Sequence, residues 1–275
     1  MMRPSYCSRM DISAFKAMQK RGWPVFASFE MFTGTSAPRL VAFAHVRSGQ
    51  KVLDVACGTG VAGLAAARIG AHVTGIDLTP ELLVRARENK AIAGVEMDLL
   101  EADAEELPFP DATFDTVVSQ FGHMFAPRPD VATKEMLRVL RPGGTLAFST
   151  FPPELFAGAL LDIVPRHVSR PPGAPPSPTE WGRPDVVVER LGDAVTDVRF
   201  DRDVIVIPAL SVAHLRLFLE RNIAPLMFAV QKLGETPEKL AELRLEIDTL
   251  LANYFDPSRN ALRQDYLLTR ATKRS

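Results

Sequence analysis

The chain has 275 residues, of which 47% are hydrophobic, with a formal net charge of −1 and a pI near 6.5. That is enough apolar material for one large domain, or a domain with an appendage, and the balance of charge supplies no basic field for nucleic acid. Two cysteines, Cys7 and Cys57, build neither a disulfide framework nor a multi-cysteine zinc site. The opening MMRPSYCSRMDISAF lacks the apolar centre of a signal peptide, and no stretch approaches the roughly 18 apolar residues of a membrane helix. A soluble cytoplasmic protein without a metal is expected.

In chain order, residues 11–48 read as a helical N-terminal cap with recurring Phe15, Met18, Trp23, Phe26, Phe29 and Phe32. KVLDVACG is a first strand ending in glycine, and VAGLAAARIG is a helix stopping at Gly70. AHVTGIDL is a second strand, followed by a helix from TPELLVRARENKA with Thr79 as its N-cap and Pro80 in its first turn. VEMDLLEAD, FDTVVSQF and GTLAFSTF read as a third, fourth and fifth strand, with the helix VATKEMLRVL before the last, stopped by RPGG. Strands alternating with helices at these distances indicate βαβ units and a mostly parallel, doubly wound α/β sheet. Its ligand edge is then the one where the strands end. Residues 152–184 form a proline-rich cover, whose segment 165–184 is too dense in proline for regular structure. DVVVERLG resumes as a helix, VTDVRFDRDVIVIP as one or two strands, and 211–256 as a helical insertion broken around Gly234 to Pro237. ALRQDYLLTRATKR closes the chain as an edge strand, giving a single domain over 1–275 with its cofactor-binding core at 49–151.

The segment VLDVACGTGVAG raises a question of ligand. Gly58, Gly60 and Gly63 spell G-x-G-x-x-G, and Asp77 stands 19 positions after the first glycine, the spacing of a dinucleotide turn with its ribose-binding acid. Asp54, however, stands four residues before that glycine, and a carboxylate there opposes a pyrophosphate at the helix N-terminus. S-adenosylmethionine carries a sulfonium and an ammonium and no phosphate, so Asp54 suits it, while the open backbone at Gly58 and Gly60 admits a close ligand. Asp77 can hold ribose hydroxyls in either case. An NAD-dependent oxidoreductase stays as an alternative, as does a non-catalytic binding protein of the same fold.

LDVACGTG, VTGIDLTPELLVRARE, EADAEELPFPDATFDTVVSQFGHMF and EMLRVLRPGG, taken together over about residues 40–150, resemble the class I S-adenosylmethionine-dependent methyltransferases. They are most similar to the branch of ubiquinone and menaquinone biosynthesis. The resemblance implies a Rossmann-like seven-stranded sheet with an antiparallel last strand. It also implies S-adenosylmethionine as cofactor, with the methionine end at Asp54, Ala56, Gly58 and Gly60. By the same resemblance Asp77 holds the ribose, Leu78 lies against the adenine, and Asp103 and Ala104 contact the adenine. Gln120 or Phe121 is implied to touch the methionine part.

Other residues in these motifs read as structure. Gly63 packs helix on sheet, Cys57 is a small residue in a tight place, and Leu107, Pro108, Phe109 and Phe114 fill core. Glu135 and Arg138 read as a helix-surface pair. His123, just past the fourth strand, is the candidate general base, since histidine titrates near neutrality. His45, His72, His167 and His214 fall in helical or peripheral contexts. No D-P-P-Y or N-P-P-Y follows the fourth strand, which turns the acceptor away from nucleic-acid amines. A small, largely apolar acceptor such as a quinone, phenol or polyketide-like molecule is expected under Phe26, Phe29, Met31, Phe32, Met124 and Phe125. The apolar run HLRLFLERNIAPLMFAV either lines that pocket or serves core or homodimer packing.

Overall fold

The computed structural model describes residues 11–168 and 174–275, so Cys7 and the prolines at 171 and 172 lie outside the described residues. Helix α1 (Ile12–Gly22) starts at Asp11, whose carboxylate accepts the amides of Ser13 and Ala14 at 2.9 and 3.2 Å. A 3₁₀ segment over Trp23–Phe29 then leads to α2 (Glu30–Phe43). There follow β1 (Lys51–Val55), α3 (Val61–Arg68), β2 (His72–Asp77), α4 (Pro80–Ala93), β3 (Asp98–Glu101), β4 (Phe114–Gln120) and α5 (Pro129–Val139). Next come β5 (Leu140–Thr150), α6 (Phe156–His167), α7 (Pro184–Leu191) and β6 (Val195–Pro208). The chain ends with α8 (Val212–Asn222), α9 (Ala224–Leu233), α10 (Pro237–Ala252), β7 (Phe255–Asp256) and β8 (Ala261–Lys273).

The strands order as β3-β2-β1-β4-β5-β8-β6. β1 to β5 pair in parallel, and β8 runs antiparallel to both β5 and β6. This is the expected Rossmann-like sheet with an antiparallel last strand, enlarged to eight by the two-residue β7 beside β8. The last strand is not an edge, however. β8 lies between β5 and β6, with Tyr266, Leu267, Leu268 and Thr269 buried in succession, the mark of a strand covered on both faces. The edge is β6, a single strand whose register shifts between Thr196 and Arg199.

Three further expectations are corrected locally. Thr79 stands at the N-cap of α4, but its hydroxyl makes no cap bond; its amide donates instead to Asp77 Oδ1 at 2.8 Å. RPGG does not make a turn after α5: the helix ends at Val139 and the backbone enters β5 at once, absorbing the glycines as an irregularity against β4. The stretch 165–184 is irregular only in part: α6, with Phe156, Leu160, Ile163 and Val164 on one buried stripe, runs through Pro165 to His167, and a 3₁₀ segment forms at Pro178–Gly182. Both ends of the cover are pinned at the exit of β5, where Thr150 Oγ1 donates to the Trp181 carbonyl at 2.9 Å. The apolar run after 211 divides at Ile223, where Pro225 begins α9.

One core cluster joins α2, α3, α6 and α8–α10 to the sheet; the other joins α5, α7 and Trp181 to Leu53, Val117, Leu146 and Phe148. Because β8 is central, Leu268→Ala should cost about 2–5 kcal/mol in urea unfolding, as for a fully buried leucine. A loss below about 1 kcal/mol would indicate the edge environment that the sequence suggests.

Candidate active site

The loops after β1, β2, β3 and β4 meet at one edge of the sheet, and backbone bonds stitch them together. The Cys57 amide donates to the Ile76 carbonyl at 2.8 Å, and the Ala102 amide to the Asp77 carbonyl at 3.1 Å. Gly122 is pressed so close to the β1 loop that a Cβ there would lie 2.5 Å from the Ala56 carbonyl oxygen. Ala56, Gly58, Gly60 and Phe121 all have positive φ, so this edge is built from sharply turned backbone.

Each glycine of the turn has its own task. Gly58 (φ +56°) faces open space, with nothing within 4 Å of a Cβ position. Gly60 (φ +85°) caps α3 and lies against Ala86. At Gly63 a Cβ would meet Met97 Cε at 2.6 Å and Asp54 Oδ2 at 3.3 Å, so this glycine serves helix–sheet packing.

Asp54 is fully buried. Its Oδ2 accepts the Gly63 amide at 2.8 Å, in the first turn of α3, while Oδ1 is buried with no hydrogen-bond partner. Burial without water pushes its pKa up to about 7; the Gly63 amide opposes that shift and the Asp77 charge adds to it. The carboxylate thus already occupies the anion position at this helix N-terminus. Asp77 is also buried, accepting the amide of Gly58 at Oδ2 and of Thr79 at Oδ1, both at 2.8 Å. Desolvation raises its pKa and the Thr79 and Gly58 amides moderate the rise. Each oxygen keeps a further lone pair for a ligand hydroxyl. Leu78, Asp103, Ala104 and Gln120 are half-buried around the same edge.

Gln120 is engaged by α2: its Nε2 donates to the Thr33 carbonyl at 2.6 Å and to Ser36 Oγ at 2.8 Å, leaving Oε1 buried without a partner. The Phe121 ring stacks on Phe151, centroids 4.4 Å apart and 5° from parallel. Met31 faces solvent and Met124 belongs to the core cluster under α5, so neither forms part of the apolar wall expected of them.

Several residues at this edge escape sequence reasoning. Lys16 of α1 pairs with Asp103 at 2.6 Å and with Glu105, and Lys20 pairs with Glu101. Glu105 is buried and also accepts the amide of Arg128 at 2.6 Å and its Nε at 2.8 Å. Glu30 bonds Arg85 and Asn89, and Asn89 reaches the Thr59 carbonyl of the glycine turn at 3.1 Å. The N-terminal segment therefore lies strapped across the edge. Glu135 and Arg138 do more than pair on a helix: Glu135 accepts the Leu107 amide, and Arg138 donates to the carbonyls of Leu107 and Phe109.

A methyltransferase domain family matches residues 53–148 of this chain. An uncharacterized protein of Mycobacterium tuberculosis is 38% identical over 239 residues, 86% of each chain. A phosphatidylethanolamine N-methyltransferase of Cereibacter sphaeroides is 41% identical over 49% of this chain and 66% of its own length. A demethylmenaquinone methyltransferase of Thermus thermophilus is 41% identical over 42% of this chain and 53% of its own. Among solved structures, a putative methyltransferase of Bacillus halodurans superposes with a TM-score of 0.58 at 21% identity, covering 88% of this chain and all of that one. The chain belongs to the class I S-adenosylmethionine-dependent methyltransferases.

Within this methyltransferase, His123 does not stand where a general base is expected. Its side chain is 1% exposed, packed between Phe148 (centroids 4.4 Å) and Trp181 (4.7 Å), with both ring nitrogens buried and unpartnered. Desolvation, with a smaller contribution from the Arg190 charge, lowers its pKa to about 3. An imidazole so placed is neutral at physiological pH but too weakly basic, and too enclosed, to take a proton from an acceptor. The other four histidines stay peripheral to the edge; His167, for example, pairs with Glu246 between α6 and α10.

His123→Phe should keep turnover within a few-fold and leave the pH–rate profile unchanged, against the roughly hundredfold or greater loss expected of a base. Steady-state kinetics across pH 5–9 distinguish the two. Asp54 makes a second, independent forecast. Its folded pKa lies above its unfolded one, so between about pH 4 and 7 the folded chain binds the extra proton. Its contribution to stability should therefore fall as pH rises through that window, by about 1.4 kcal/mol per unit at most, and level off above it. Urea unfolding of Asp54→Asn against wild type should show that slope removed.

Proposed function

We propose that the chain binds S-adenosylmethionine at the edge formed by Asp54, Ala56, Gly58, Gly60, Asp77, Leu78, Asp103, Ala104 and Gln120. It then transfers the methyl group to a small, largely apolar acceptor. The observation that carries this reading is Asp54: a fully buried carboxylate with one unpartnered oxygen, its pKa near 7, beside an open glycine turn. Such a group calls for a cation, and a pyrophosphate would meet it with like charge. The orphaned Gln120 Oε1 fits the same ammonium-bearing ligand as a second acceptor. Asp77, with spare lone pairs on both oxygens, suits a ribose diol.

When bound, the cofactor supplies a methyl group already activated on a sulfonium. The chain's own work is then alignment and exclusion of water. Gln120 is held on α2 through Thr33 and Ser36, so the methionine end and the N-terminal cap are positioned by one side chain. Rings of Trp23, Phe26, Phe29, Phe32 and Phe218 follow one another at centroid distances of 4.9–6.1 Å, and Trp23 reaches Phe125 at 4.7 Å. This apolar roof supports a largely hydrophobic acceptor. With His123 sealed in the core, an acceptor already nucleophilic needs no base from this chain.

Calorimetry should show S-adenosylmethionine binding and no NAD binding. At pH 6.5 binding should release protons, because a cation beside Asp54 favours its ionised form. That release, read from titrations in buffers of different ionisation enthalpy, should vanish in Asp54→Asn. Asp77→Ala should lose most of the affinity, at about 1.5–3 kcal/mol for each hydrogen bond to the carboxylate. Wild-type affinity in Asp77→Ala would remove that residue from the site.

A further inference from the structure

Beside Gln120, on the next strand of the sheet, stands Ser149. The two are register partners of β4 and β5, so their side chains share a face of the sheet, the one covered by α2. Ser149 is 1% exposed, and its Oγ is buried with no hydrogen-bond partner among the described residues. Gln120 Oε1 is in the same state, and its orientation is not arbitrary. The Thr33 carbonyl can only accept, which fixes Nε2 toward α2 and leaves Oε1 as the free acceptor. Two adjacent polar groups are thus buried unsatisfied at the mouth of an α/β sheet, where each costs stability that a bound ligand recovers.

Rings flank the pair. The Phe121 amide donates to the Ser149 carbonyl at 3.1 Å; the Phe121 ring stacks on Phe151 and meets the edge of Tyr266 at 5.4 Å. The chemistry left open is specific. Gln120 Oε1 accepts only, and its two lone pairs can take the cofactor's ammonium and one further donor, whereas the Ser149 hydroxyl can donate. A ligand hydroxyl satisfies both at once, donating to Oε1 and accepting from Oγ. An ether or ketone oxygen can take the serine proton but leaves the second Oε1 lone pair without a donor. We infer that Ser149 is an acceptor-binding residue, which with Gln120 recognises a free hydroxyl on a planar aromatic acceptor lying along the Phe121–Phe151 wall. The inference rests on the methyltransferase reading of this edge and narrows its acceptor to hydroxyl-bearing aromatics.

The test is calorimetry on the full chain, first with S-adenosylhomocysteine alone. With that ligand saturating, 2-naphthol is titrated against 2-methoxynaphthalene, which has the same ring and no hydroxyl proton. The wild type should prefer the naphthol by about tenfold or more, the worth of one good hydrogen bond. Ser149→Ala should bring the two probes within about threefold, and Ser149→Thr, which restores a hydroxyl, should regain part of the preference. S-adenosylhomocysteine affinity should change less than about twofold in both variants, since both leave Gln120 and the cofactor's contacts on β1, β2 and the loop after β3 in place. Ser149→Ala should melt no lower than wild type, because no protein hydrogen bond is removed. Equal binding of the two probes by wild type, or an undiminished preference in Ser149→Ala, would overturn the assignment while leaving the cofactor site standing. Failure of the first titration in wild type would instead overturn the cofactor reading and this inference with it.

Discussion

A carboxylate held away from water with only one oxygen partnered constrains everything around it. Asp54 sits at zero exposure on β1, and its single bond to the Gly63 amide fixes how α3 leaves the glycine turn. Gly63 must then remain glycine, because a Cβ would crowd both Met97 and the carboxylate itself. Gly58 and Gly60 supply the left-handed backbone that carries the chain from strand to helix in so short a space. Asp77 repeats the device one strand over, spending each oxygen on a backbone amide. The Asp77 charge adds to the cost of ionising the buried Asp54, which a positive charge nearby would lower.

The N-terminal cap answers a different electrostatic problem. The end of β3 and the loop after it gather Glu101, Asp103 and Glu105, and Glu105 is nearly inaccessible. Unlike Asp54, this buried carboxylate is met by cations: Lys16 from α1 and Arg128, which also donates its amide. The same ion pairs tie α1 over the cleft, so the counterions of the loop double as a roof. Asp103, paired with Lys16, ties the cap to the loop after β3.

What could be read from the sequence divides along physical lines. The order of β1 to β5 was legible because each strand–helix–strand unit is local, and handedness then leaves little choice of arrangement. Asp54 and Asp77 were legible because spacing from a glycine turn is itself geometry. β8 was misplaced because its neighbours β5 and β6 are remote in sequence, although the unbroken Tyr266–Leu267–Leu268 run carried the signal of two covered faces. Lys16 meets Asp103 across 87 residues, and no periodicity reports such a contact. His123 was located correctly along the chain and misjudged in direction. Ser119 Oγ holds its amide at 3.0 Å and Gly122 presses on Ala56, which together turn the imidazole into the core under Trp181. Side-chain direction after a strand depends on such loop contacts, which spacing does not encode.

The two open borders of the sheet are finished differently. β3 presents only four residues. β6 is long, but its outer rail carries Asp197, Arg199, Asp201, Arg202 and Asp203, and a register shift with positive φ at Asp197 bends its start. Unpaired strand borders invite another chain to add on, and brevity on one side with charge and a kink on the other discourage it. Neither border therefore presents a long, uncharged strand to which a second sheet could add.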